Sequence, residues 1–118
     1  MAEQEITKGT GRTKVCLSAQ NLGDGLVVTI YNEYAHIGAV AVGEYYDKEN
    51  RASTSVITRL GHKDDAIAKK TAYLISRKTK RPCCVIAGVH LEDITGEEIG
   101  EFLKNADSLV EDFLMSLE

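Results

Sequence analysis

The sequence predicts an α/β fold of the α+β type, a mixed and mostly antiparallel sheet of about five strands with two main helices, in the order ββββαβα. Up to residue 60, apolar residues alternate with polar ones or run in short β-branched blocks divided by turn residues, which is strand patterning. Beyond residue 63, two stretches switch to helical spacing around one short apolar run behind Pro82. With 118 residues, 43% hydrophobic and 27% charged, the chain is long enough for a sizeable core. Residues 1–118 are therefore read as a single domain.

Residues 1–12 are polar and contain Gly9 and Gly11, so they are expected to be flexible or a short edge segment. Val15, Leu17 and Ala19 then alternate with Lys14, Cys16 and Ser18, the pattern of a half-buried strand. Asn21-Leu22-Gly23-Asp24-Gly25 has turn composition. Residues 26–31 are β-branched and apolar on both faces, as in a central strand. The chain turns at residues 32–35. A third strand is expected over 37–46, where Gly38, Ala39, Ala41 and Gly43 allow close approach of another element. Asp47-Lys48-Glu49-Asn50 makes a polar hairpin turn into a fourth strand at 53–60.

Gly61 breaks that strand, and residues 64–78 read as a helix whose apolar face is Ile67, Ala68, Thr71, Ala72, Leu74 and Ile75. Asp64 and Asp65 in its first turn, and Arg77 and Lys78 in its last, complement the helix dipole. Pro82 opens a buried strand at 83–89. Thr95 and Glu98 form a capping box. The helix after it carries a long stripe through Ile99, Phe102, Leu103, Ala106, Leu109, Val110, Phe113, Leu114 and Leu117. The first four strands suggest an antiparallel meander. The first helix is long enough to be a crossover, which would leave the fifth strand parallel to the fourth.

Several function classes lose support from composition. No apolar run reaches a membrane span, and the polar, acidic start is no signal peptide, so a cytoplasmic protein is expected. The net charge of −4 argues against a nucleic-acid binder. Residues 59–81 carry eight Lys/Arg against two Asp, and residues 92–118 carry nine Asp/Glu against one Lys. Two solvated helix faces that attract one another explain this split best; recruitment of an anionic ligand is the sharper alternative. Three cysteines give no closed disulfide framework. Adjacent strand residues Cys83 and Cys84 face opposite ways and read as small core residues.

The three histidines are the informative feature. They stand in His36-Ile37-Gly38, Gly61-His62-Lys63-Asp64-Asp65 and Ala87-Gly88-Val89-His90. If the strands on either side of residues 47–50 form a hairpin and the first helix is a crossover, all three arrive at one sheet edge, with Tyr31 and Asn32. Four readings compete for that edge. An anion or phosphate site would use the helix N-terminus after residues 61–63, with Asp64 and Asp65 working against it. A metal site would use His36, His62 and His90 with nearby carboxylates, although the spacing matches no short metal motif. General acid–base chemistry by one histidine suits its ordinary pKa near ~6.5, but no Ser or Cys nucleophile is placed by motif. Finally, each histidine can simply satisfy loop backbone.

These same residues, His36-Ile37-Gly38, His62-Lys63-Asp64 and Ala87-Gly88-Val89-His90 followed by Ile94-Thr95, resemble the prenylated-flavin chaperone-like family. The small D subunit of gallate decarboxylase is a named member. The resemblance spans residues 13–117, and the family is related in fold to proteasome assembly chaperones, which often form dimers. It implies a non-catalytic accessory protein that handles prenylated FMN, or FMN, for a UbiD-type decarboxylase, a cofactor chaperone rather than an enzyme. The expected cofactor-binding set is His36, Gly38, Gly61, His62, Lys63, Asp64 and His90. The phosphate would lie at residues 61–63 and a flat ring against Gly38 and Ala39. A homodimer is expected, with no nucleic acid and no membrane. The alternatives are a small metal- or histidine-dependent enzyme using the same cluster, and an assembly module that binds protein as a dimer.

Overall fold

The computed structural model describes residues 3–59, 64–90 and 93–117. Six strands form one mixed sheet: β1 (Glu3–Lys8), β2 (Val15–Leu22), β3 (Gly25–Tyr31), β4 (Ala39–Tyr46), β5 (Arg51–Thr58) and β6 (Cys83–Gly88). Two helices follow the strand order expected, α1 (Asp65–Thr79) between β5 and β6, and α2 (Gly96–Ser116) after β6. The spatial order is β1-β2-β3-β6-β4-β5.

Two features differ from the expectation. The polar N-terminal segment supplies a sixth strand at the sheet edge, paired antiparallel with β2 from Glu3↔Gln20 to Lys8↔Val15. Its anchors lie on α2, where Lys8 Nζ meets Asp112 Oδ2 at 2.7 Å and Gln4 donates to Ser116 Oγ at 2.9 Å. The meander is also interrupted. β6 inserts between β3 and β4, parallel to β3 and antiparallel to β4. It therefore points the same way as β5 but is separated from it by β4. A buried apolar strand flanked on both sides satisfies its backbone groups fully, which an edge position beyond β5 would not do.

Alternation sends one residue of each pair to the helix side. Leu17, Ile30, Ala87 and Ala39 form one cross-strand row, and Ala19, Val28, Val85 and Ala41 the next; all are buried. α1 lays Ala68, Ala72 and Ile75 on this face, and α2 lays Phe102, Ala106, Leu109 and Phe113. Gly43 is small for a packing reason: a Cβ there would press on the Ala72 carbonyl of α1. The long stripe of α2 is only partly consumed, since Ile99 and Leu103 stay exposed. The oppositely charged helices touch through Lys70 and Asp107 at 3.1 Å. The other face of the sheet carries no helix. Among the described residues no helix is long and apolar enough to cross a membrane.

Candidate functional site

The pairings bring the end of β3, the end of β6, the start of β4 and the end of β5 to one edge. The segments that carry His36 and His90 leave from it, as topology requires. Gly61, His62 and Lys63 lie outside the described residues. Residues 37 and 38 continue the sheet past the start of β4. Gly38 N–H donates to the Ala87 carbonyl at 2.9 Å, and the Arg59 N–H donates to the Gly38 carbonyl at 2.9 Å. The Arg59 guanidinium adds a bond to the Ile37 carbonyl at 2.8 Å.

Asp64 is the centre of this edge. It is the N-cap residue of α1, yet its side chain makes no capping bond. Only 5% exposed, its carboxylate instead turns inward. Oδ1 accepts from the Val89 N–H at 3.4 Å and Oδ2 lies 3.6 Å from His36 Nε2. Burying a carboxylate is costly unless its oxygens find partners, and the Val89 N–H and the His36 ring are the groups that face it. The other ring nitrogen of His36, Nδ1, bonds the Tyr34 carbonyl at 2.8 Å. The two ring nitrogens thus face the Asp64 carboxylate on one side and the Tyr34 carbonyl on the other.

Two glycines make room for this arrangement. A Cβ on Gly38 would run into the Asp64 carboxylate, and a Cβ on Gly88 would run into the carbonyl of His36. Gly38 is therefore small for Asp64, and Ala39 beside it is fully buried in the core. The expected seat for a flat ring against Gly38 and Ala39 is filled by the chain itself.

Asn32 ties the second histidine down. It is 4% exposed; its amide N–H donates to the His90 carbonyl at 2.8 Å, and its Oδ1 accepts from the His90 N–H at 3.3 Å and the Tyr34 N–H at 3.2 Å. This bidentate clamp fixes the backbone of one loop to the next. The side chains it positions are exposed. Tyr34 stands edge-on to His90, with ring centroids 6.3 Å apart at 82°. The edge therefore combines a buried polar frame with aromatic surfaces open to a ligand. Beside it, burial and a hydrogen bond to Glu5 push the Tyr31 phenol above its ordinary pKa.

Of the expected site residues, His36, Gly38 and Asp64 come together in direct contact, and His90 joins the same edge through Asn32 and Tyr34. The Asp64 side chain contacts Val89 and His36 within this edge. Tyr34 and Arg59 were not singled out from sequence, because a loop tyrosine and a strand-end arginine carry no local motif. The metal alternative rests on His62, which lies outside the described residues; among those described, no three His, Cys, Asp or Glu side chains are grouped to hold a metal ion.

Comparison with known proteins points in one direction. Residues 9–118 match the model of the prenylated flavin chaperone LpdD-like domain. A crystal structure of a chaperone complex for yeast 20S proteasome assembly contains a chain of similar fold. It aligns with a TM-score of 0.61 at 16% identity, covering 99% of this chain and 96% of that one. No curated protein matches the sequence.

Proposed function

The chain belongs to the family of LpdD-like prenylated flavin chaperone domains, and from that premise we propose that it binds prenylated FMN and delivers it to a UbiD-type decarboxylase. The observation that carries the reading is the family match over nearly the whole chain. The sheet edge is the proposed binding site. Tyr34 and His90 would offer ring faces and edges to the flat isoalloxazine, since aromatic groups stack well against heteroaromatic rings. His36 and the Asn32 clamp would hold those side chains in place. A bound prenylated flavin would be the modified ring that the acceptor enzyme uses. The chain's own residues bind, orient and release it.

A titration of the purified protein with prenylated FMN and with FMN tests this. The prenylated form is expected to bind more tightly. Affinity for neither would contradict the reading.

The protein is further proposed to pair with a second copy of itself. Its support is the uncovered sheet face, where Ile57, Val40 and Ile86 form one cross-strand row and Val42, Cys84 and Val27 the next. Ile57 is 75% exposed and Val42 48%, and contiguous exposed apolar surface marks interaction sites. Sedimentation should show a dimer, and Ile57→Glu with Val42→Glu should yield a monomer. A wild-type monomer at all concentrations would remove this proposal.

A further inference from the structure

Residues 61–63, where the cofactor's phosphate is expected, lie outside the described residues. At the N-terminus of α1 the buried Asp64 carboxylate is close by, and an anion there would meet a like charge. A second opening lies at the same edge, on the face of the sheet that carries no helix. It is a cavity of about 200 Å³ lined by Gly11, Arg12, Lys14, Tyr31, Asn32 and Glu33, with Cys16 at its base.

Three observations make it a candidate anion pocket. Its two cations come from the turn Gly11–Thr13 and the residue that follows. Arg12 is anchored, its Nε 2.8 Å from Glu98 Oε2 in the capping box of α2. Lys14 makes no side-chain ion pair or hydrogen bond among the described residues, so its ammonium is available. Glu33, which is exposed, is the opposing charge in the wall.

The pocket also adjoins the site already described. Tyr31 in its wall is the direct β3 partner of Gly88 on β6, about 4.8 Å away across the sheet. Gly88 is the residue over which the His36 backbone packs. Asn32 lines the pocket and also clamps His90. The cavity and the aromatic edge are thus neighbours joined by one strand spacing. FMN has the matching shape, a flat ring with its phosphate at the far end of a ribityl chain.

We propose that the cavity between Arg12, Lys14 and Tyr31 binds the terminal phosphate of the flavin while the ring lies at Tyr34 and His90. This rests on the flavin reading and deepens it. Lys14 supplies the charge, Arg12 provides a fixed second cation, and Glu33 limits affinity so that the cofactor can leave.

The test compares flavins with and without the phosphate: FMN against riboflavin, and prenylated FMN against its dephosphorylated form. Each is titrated calorimetrically into the full chain and into Lys14→Gln and Glu33→Gln, with melting curves to confirm folding. The phosphorylated forms are expected to bind about tenfold or more tightly than their dephosphorylated partners, as charged hydrogen bonds allow. Lys14→Gln should erase most of that gap and leave the dephosphorylated forms unchanged, while Glu33→Gln should widen it. Equal binding with and without phosphate overturns the pocket and spares the flavin reading. So does a Lys14→Gln loss shared equally by both forms. Absence of binding by every flavin overturns both.

Discussion

At the end of the sheet where β2 turns into β3, one half-buried cation closes the loops. Arg81 donates to the Asp24 carbonyl at 2.5 Å, to Asn21 Oδ1 at 2.9 Å and to the Gly25 carbonyl at 3.2 Å. At the opposite end the ties are Asn32 and Asp64, an amide and a carboxylate that are almost wholly buried. Water can replace an arginine on surface carbonyls at little cost. It cannot replace a buried clamp, because the groups left behind lose their partners without gaining solvent. The first end is merely closed. The second is locked, and it presents exposed Tyr34 and His90 from a rigid frame, which suits a binding site carried on loops.

The largest effects should fall at the locked end. Gly88→Ala forces a Cβ into the backbone of His36 and should cost about 3 kcal/mol, the upper range for overpacking. Gly23→Ala at the other end meets nothing within 4 Å but sits at φ +61, so about 1 kcal/mol is expected. Urea denaturation midpoints measure both, and equal losses would break the comparison. Asn32→Ala strands the His90 and Tyr34 backbone groups and should cost about 2 kcal/mol, against no more than about 1 kcal/mol for Arg81→Ala.

Thr95→Ala removes the cap of α2, whose box bonds are both 3.1 Å, for about 1 kcal/mol. The same box and Arg12 hold the Glu98 carboxyl below its ordinary pKa. Its contribution is therefore present above the usual carboxylate range and fades as pH falls through the lowered value, so the Thr95→Ala deficit should shrink in acid. The smallest effect concerns Cys83, at the closed end beneath α1. Burial pushes its thiol up to about 11. The folded state keeps that proton longer than the unfolded chain, so the contribution is full below the ordinary thiol pKa and is lost as pH rises toward 11. At neutral pH, alkylation of the native protein should spare Cys83 until it unfolds; rapid native labelling there would contradict its burial.

Much of this architecture was legible in the sequence. The alternation at Val15, Leu17 and Ala19, the capping box at Thr95 and Glu98, and the crossover before Pro82 are local signals, and each matches an element. The place of β6 was not legible. A crossover of this length fits several positions, and which neighbours a buried strand takes depends on the whole sheet. β1 was legible only as a flexible or edge segment, because Ile6 is the one large apolar residue in Glu3–Lys8, and an edge strand needs no more. At the site, the arrival of the segments carrying His36 and His90 at one sheet edge followed from strand direction alone. The inward turn of Asp64 did not, because an aspartate before a helix ordinarily reads as its cap. Gly38 likewise looked like space for a ligand, and only the fold shows that a neighbouring carboxylate takes that space.

The most direct test of the locked end as a flavin site is prenylated FMN affinity in Tyr34→Ala/His90→Ala, measured by fluorescence titration beside the wild type. Both side chains are exposed, so the melting temperature should hold. The account expects tight binding by the wild type and at least about tenfold weaker binding by the double variant, as the loss of aromatic contacts implies. Undiminished affinity in a folded double variant would place the cofactor elsewhere and contradict the account.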